Sequence, residues 1–283
     1  MPFHFTAMQT LSRHFLILKR PLDAELAPIA ERLLGKASGV RAEGAVFYEC
    51  ESLPNGAKLF GAEYYTEKNG RLPLPADGVR VLGAYLRRRD QALPPNLRIL
   101  SDGEIKSVDK KDDSSSLFTV YLPPPSFDAH SVGLTAGHPL LGQKIPIGGS
   151  TYPIYALSFG QSSFAVCFRF GQRLFDLRPS SIALPLSLMH VFSRPFETVF
   201  AEITGESSLS MRSFCEEHGE LDASSEGAAA AISIAHLLGF LPIGQELSVK
   251  MRGGELLVRA DYLGAPISVT AETHFCFDGT IDL

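Results

Sequence analysis

The chain has 283 residues, 45% of them hydrophobic and 20% charged, enough to bury the cores of two ordinary domains. Its formal net charge of −5, with Lys and Arg spread thinly, leaves no electrostatic footprint for nucleic acid or an anionic membrane. The longest apolar stretches, residues 228–240 and 181–192, are broken by His236, Pro185 and His190 and fall short of a bilayer span.

The first residues lack the basic region, apolar run and small-residue cleavage site of a signal peptide, so a cytoplasmic location is the expectation. Alternating apolar residues predict strands at Phe15–Leu18, Ala45–Tyr48, Lys58–Tyr65 and Phe118–Leu122. Between them lie two helical patterns. One runs from Asp23, a candidate N-cap, to Leu34; the other runs from Asp77 to Arg89 with Val81, Leu82, Tyr85 and Leu86 on one face. The run Arg87-Arg88-Arg89 falls at the end of that helix, where cations complement the helix dipole, a reading preferred to a phosphate site.

The charged, serine-rich residues 109–116 read as a loop, and Pro123-Pro124-Pro125 cannot pair inside a sheet, which puts a domain boundary there. Beyond it the pattern repeats. Strands are predicted near Tyr155–Ser158, Phe164–Phe168, Thr198–Ile203 and Ser207–Phe214, then a helix from Gly227 to about Leu238. Two strand pairs close the chain, Leu247–Met251 with Leu256–Ala260 and Ile267–Thr270 with Thr273–Phe277.

Each half carries an acid-glycine pair at a helix start, Asp77-Gly78 and Glu226-Gly227. In a duplicated fold the two helix N-termini would face one cleft, where unpaired N–H groups suit a carboxylate-bearing ligand. Capping alone also accounts for such pairs. Cys50, Cys167, Cys215 and Cys276 have neither C-x-x-C nor metal-ligand spacing and read as small buried hydrophobes, so no metal site is expected.

Several short segments, in order, resemble the diaminopimelate epimerase family. Residues 5–18, Phe-Thr-Ala-Met followed by an apolar strand, resemble its opening, and Gly39-Val40-Arg41-Ala42-Glu43-Gly44 its Gly-Val-Gly-Ala-Asp-Gly. Phe60-Gly61-Ala62-Glu63 falls at its Phe-Asn-Ala-Asp, and Asp77-Gly78-Val79-Arg80 at the second half of its Cys-Gly-Asn-Gly-x-Arg. Ser158-Phe159-Gly160-Gln161-Ser162 resembles its Gly-Asn-Pro-His segment; Ala223-Ser224-Ser225-Glu226-Gly227-Ala228 falls at its Ala-Cys-Gly-Thr-Gly-Ala, and Phe277-Asp278-Gly279-Thr280-Ile281 at its closing Phe-Glu-Gly-Glu-Ile. The collinearity of these matches carries the resemblance.

The resemblance implies an α/β (α+β) chain of two pseudo-symmetric domains, each a mixed or antiparallel sheet wrapped around a central helix. The domains expected are 1–125 with 271–283, and 126–270. It also puts Pro75 and Ser224 at the positions of the two catalytic cysteines. Proline has no proton to exchange, and a serine hydroxyl needs a neighbouring base. Two-thiol epimerisation is therefore not expected.

Asp77 and Glu226 are then the candidate acid/base pair, with Ser224 as a third catalytic candidate. Such a pair suits a proton shift on an activated C–H, and the phenazine-pathway isomerases, of the same duplicated architecture, resemble this in using carboxylates. Asp77→Asn and Glu226→Gln are expected to abolish turnover with thermal stability nearly unchanged. Arg13, Gly78, Arg80, Gln161, Ser162, Glu197, His218 and Gly227 are candidate ligand-binding residues. No cofactor is called for; the partners expected are a small-molecule ligand and, as an option, a second copy in a homodimer. Two alternatives stay open: an inactive ligand-binding or scaffolding protein, and a weaker reading of Ser224 as nucleophile with His218 as its base. His14 could enter the cleft or sit hydrogen-bonded at a strand edge.

Overall fold

The computed structural model describes residues 2–22, 24–35, 39–53, 58–112, 115–169 and 173–282. In chain order the first elements are β1 (Pro2–Thr10), β2 (Arg13–Lys19), α1 (Leu26–Leu34), β3 (Gly44–Ser52), β4 (Lys58–Thr66) and β5 (Gly70–Leu72). Next come α2 (Ala76–Arg89), β6 (Asn96–Ser101), β7 (Glu104–Lys110), β8 (Leu117–Leu122), α3 (Ala129–Val132) and β9 (Leu141–Ile147). They continue with β10 (Ser150–Phe159), β11 (Ser162–Phe168), α4 (Ser180–Leu188), β12 (Glu197–Gly205), β13 (Ser208–Cys215) and β14 (Gly219–Leu221). The last are α5 (Ser225–Leu237), β15 (Leu247–Met251), β16 (Gly254–Ala260), β17 (Ile267–Glu272) and β18 (His274–Asp282). The protein is mixed α/β and dominated by sheet. None of its described helices is long and apolar enough to cross a membrane.

The chain separates into two compact units, residues 1–121 with 270–283 and residues 122–269. In the first, β1 and β2 form an antiparallel hairpin, β2 runs parallel to β3, β3 pairs antiparallel with β4 and β4 with β5. Then β4 runs parallel to β6, and β6, β7 and β8 follow antiparallel. Parallel neighbours need a long crossover, and α1 and α2 supply the two of this unit. In addition, β18 pairs antiparallel with β1, from Pro2 opposite Asp282 to Gln9 opposite His274.

The second unit repeats this pattern. β10 and β11 are antiparallel, β11 and β12 parallel, β12 and β13 antiparallel, β13 and β14 antiparallel, β13 and β15 parallel, β15 and β16 antiparallel. Here α5 is the crossover between β13 and β15, the counterpart of α2. The registers make this correspondence residue-specific: Arg13 follows its hairpin turn as Ser162 does, and Thr66 opposite Gly70 matches Cys215 opposite Gly219. Counted onward from Leu72 and Leu221, Pro75 corresponds to Ser224, Asp77 to Glu226 and Gly78 to Gly227.

Both crossover helices are central to their units. Every residue of α2 from Ala76 to Leu86 is buried, and α2 touches β1, β2 and β7. α5 is buried nearly throughout and touches β10, β11, β12, β13 and β16. A helix enclosed on all sides needs small or apolar side chains all round, and Ala228-Ala229-Ala230-Ala231 let strands approach closely. Separate cores pack the other helices: α1 in the first unit, with Phe5, Leu16, Leu18, Leu33 and Phe47, and α3 and α4 in the second, with Ile154, Cys167, Leu186, Phe200 and Phe214.

Three sequence expectations change. Asp23 lies outside the described residues, and α1 starts after an extended Glu25 whose side chain makes no cap hydrogen bond. The loop expected from Asp109 instead begins after Lys110, because β7 carries Asp109 into hydrogen bonds with Asn96 and Tyr121. The alternating β6, with Leu97 and Ile99 buried, the largely polar β7, the glycine- and proline-bearing β9, and α4 with Pro185 inside it were not anticipated.

Candidate functional site

The two helix N-termini singled out in the sequence carry different chemistry. At α5, Ser224 is the N-cap in extended conformation, and its Oγ accepts a hydrogen bond from the Gly227 N–H at 2.9 Å. The same Oγ donates to Glu197 Oε2 at 2.9 Å. Accepting on one side and donating on the other, the hydroxyl is fixed in direction, with its proton on the carboxylate side.

Glu197 is the first residue of β12, set opposite Phe164 on one side and Cys215 on the other. Its half-buried carboxylate reaches the positive end of α5. That approach requires glycine at 227: a Cβ there would overlap Glu197 Oε1 and lie 2.9 Å from Ser224 Oγ. The Ser224 backbone N–H points to Met251 Sδ at 3.5 Å, fixing the cap from behind. Glu226 is half-buried in the first turn.

At α2, Pro75 is the N-cap and offers no side-chain hydrogen bond. Asp77, fully buried, is clamped by two guanidinium groups: Arg13 Nη1 donates to Oδ2 at 2.8 Å and Arg80 Nη1 to Oδ1 at 2.5 Å. Arg80 is itself fully buried and also donates from Nε to the Phe118 carbonyl at 3.3 Å. Arg13 reaches Glu43 Oε2 at 3.3 Å and stacks over Phe15 at 5.4 Å. With two cations and a helix N-terminus around it, Asp77 is held as an anion, which suits a counter-ion better than a proton donor.

The structure therefore groups the sequence candidates into two sets, Arg13, Asp77 and Arg80 in the first unit and Glu197, Ser224 and Gly227 in the second. Gly78 sits under Leu74, whose Cδ1 a Cβ would meet at 2.6 Å. Gln161 and Ser162 occupy the β10–β11 turn and the first position of β11. The pairing of Ser224 with His218 is corrected. His218 lies in the β13–β14 turn with Nε2 3.9 Å from Glu217, and the side chain that Ser224 Oγ bonds is Glu197, 27 residues away. Sequence inspection marked Glu197 as a ligand residue and gave no sign of this pairing, which depends on strand β12 lying beside α5. The Asp77–Arg80 contact was visible as an i, i+3 pair of opposite charges. His14 is an exposed residue of β2 opposite Gln9.

The N-cap positions of the two helices hold Pro75 and Ser224. Cys167 is a core residue, and burial pushes its thiol up to about 11. Burial also pushes Cys215, opposite Glu197, up to about 11, so it is protonated at neutral pH. Cys276 is raised by burial, and Cys50 is exposed on β3. Among the described residues no group of three or more His, Cys, Asp and Glu side chains is placed to share a metal ion.

No protein-family model matches the chain. It is 27% identical over 308 residues to a diaminopimelate epimerase of Leptothrix cholodnii, covering 100% of this chain and 98% of that protein. To a diaminopimelate epimerase of Xylella fastidiosa it is 25% identical over 289 residues, 98% of this chain and 96% of that one. Among solved structures it superposes on a probable proline racemase from Agrobacterium radiobacter with a TM-score of 0.70 at 11% identity, covering 99% and 93% of the two chains. A phenazine biosynthesis PhzC/PhzF protein from Clostridium difficile gives a TM-score of 0.66 at 12% identity, with coverage of 99% and 100%.

Proposed function

We propose that this chain, similar over its whole length to diaminopimelate epimerases, is an isomerase that moves a proton on a small carboxylated or amino-acid-derived metabolite without a cysteine pair. The observation that carries this reading is the hydrogen bond from Ser224 to Glu197 at the N-terminus of α5, where the family resemblance puts a catalytic thiol. Glu197 is the base. Ser224 orients it, and the positive end of α5 stabilises negative charge on the substrate. Glu226, in the first turn, is the second acidic group.

Glu197 removes a proton from an activated carbon, the electron pair passes into the adjoining carbonyl system, and the protonated carboxyl returns the proton to another carbon of that system. A carboxylate is a weak base for an ordinary amino-acid α-proton, so an allylic or α-keto C–H is the matching substrate class. Pro75, the counterpart of Ser224, brings no transferable proton. With one proton carrier for both removal and return, the product is a shifted hydrogen rather than an inverted centre. Asp77 is read here as the counter-ion that orients Arg13.

The test is hydrogen exchange in deuterated water, followed by mass spectrometry, over a panel of small allylic, 2-oxo and α-amino acids. Exchange is expected into an allylic or 2-oxo acid, lowered at least about 100-fold by Glu197→Gln. Exchange into diaminopimelate, or full exchange in Glu197→Gln, overturns the assignment. A second reading, ligand binding without turnover, is favoured by the closed Arg13–Asp77–Arg80 cluster. It predicts no exchange with any acid of the panel and saturable binding of one of them that weakens in Arg13→Gln.

A further inference from the structure

The arginine run at the end of α2 is not used by the reading above, and it faces a cavity of about 570 Å³ within the first unit. That size falls in the range of roughly 300–1,000 Å³ usual for small-molecule sites. We propose that this cavity is a second binding site, for a small organic anion carried on an aromatic or apolar body. Arg87, Arg88 and Lys110 line it, and no carboxylate stands among its described lining residues.

Arg88 is the decisive group. Its guanidinium lies 4.1 Å over the Phe275 ring and, among the described residues, makes no hydrogen bond or ion pair. Stacking holds the plane while leaving the in-plane donors to a ligand, the arrangement in which a guanidinium binds carboxylate or phosphate oxygens. A second observation points the same way. Thr273, 6% exposed, lines the cavity, and its buried Oγ1 has no hydrogen-bond partner among the described residues. A buried hydroxyl left unpaired is costly and is matched by an acceptor from outside.

Strand pairing accounts for the rest of the wall. Phe275 lies opposite Met8 in the β1–β18 pair, and Phe118 opposite Lys110 in the β7–β8 pair, so each pair delivers an apolar surface to the cavity. Asp278 stands in the adjoining cavity beyond Arg88, hydrogen-bonded by Thr6, and limits the anion to the Arg87, Arg88 and Lys110 side.

Calorimetric titration of the intact protein at low salt with phenyl phosphate, benzoate, inorganic phosphate and benzyl alcohol tests this. Phenyl phosphate or benzoate is expected to bind one to one; which of the two is tighter identifies the head group. Inorganic phosphate is expected to bind at least about tenfold more weakly for want of apolar burial, and benzyl alcohol not measurably. Arg88→Gln should weaken the better anion at least about tenfold and Thr273→Val about fivefold, each with an unchanged melting temperature, while Ser224→Ala leaves binding intact. Equal binding of benzyl alcohol, indifference to Arg88→Gln, or no saturable binding at millimolar concentration overturns the proposal.

Discussion

A carboxylate in the first turn of a helix can carry protons or balance charge, and its partners decide which. Asp77 has two guanidinium partners and no exposure, so its removal leaves Arg80 charged and buried without its anion. Asp77→Asn is therefore expected to destabilise the protein by about 3–5 kcal/mol, read from urea unfolding. This replaces the sequence expectation of nearly unchanged stability; an Asn variant within about 0.5 kcal/mol of wild type would show that the cluster adds nothing. At this scale the sequence marked Asp77 and Arg80 as separate site residues, and only their spacing of three pointed to the ion pair they form. The Ser224–Glu197 bond was hidden because it joins a helix cap to the first residue of a strand, and no local pattern encodes that meeting.

At the scale of elements, α5 depends on close approach, and at Gly227 there is no room for a Cβ. Gly227→Ala would press a methyl group into the Glu197 carboxylate and the Ser224 hydroxyl, whereas Gly78→Ala meets the end of the apolar Leu74 side chain, Cδ1 at 2.6 Å, and touches neither group. Exchange activity is expected to fall at least about tenfold in Gly227→Ala and far less in Gly78→Ala, since the first displaces a proton-carrying group; comparison of initial rates checks this. The other end of α5 carries a pH dependence. His236 is buried, its Nε2 3.1 Å from the Pro242 carbonyl, and burial holds its pKa below the usual histidine value. The unfolded chain takes up that proton first as pH falls. The stability it contributes is thus complete above the unfolded value of about 6.5 and is lost as pH drops through the lowered folded value. Urea midpoints from pH 7.5 to 5 should decline less steeply in His236→Gln than in wild type. The apolar run of β2, the alternation of β4 and the helices α2 and α5 were readable, whereas β7 has only Ile105 and Val108 apolar, three positions apart and on opposite faces, and so presents no apolar face.

For the molecule as a whole, the repeated strand order explains why two acid-glycine pairs recur in the sequence. The same ladder of pairings ends each time at a crossover helix, so Pro75 and Ser224 occupy one structural position with two chemistries. Duplication was visible in the sequence through those pairs and the repeated run of strands and a helix, while the remaining side chains of the two halves have diverged and the backbone hydrogen bonds that define the pattern belong to no particular residue type. The mixed α/β class was legible from the alternation of periods; the polar and proline-bearing elements beyond it were not.

The pairing of β18 with β1 has a consequence for how the polypeptide reaches this state. Thr6 and Asp278, joined by a 2.6 Å hydrogen bond, are separated by 272 positions. Bringing such distant points together in a flexible chain costs about 5 kcal/mol in lost freedom. Prior collapse of residues 122–269 into their own unit shortens that tether. Synthesis from the amino terminus accordingly leaves the edge of β1 that pairs with β18 without that partner until β18 has been made.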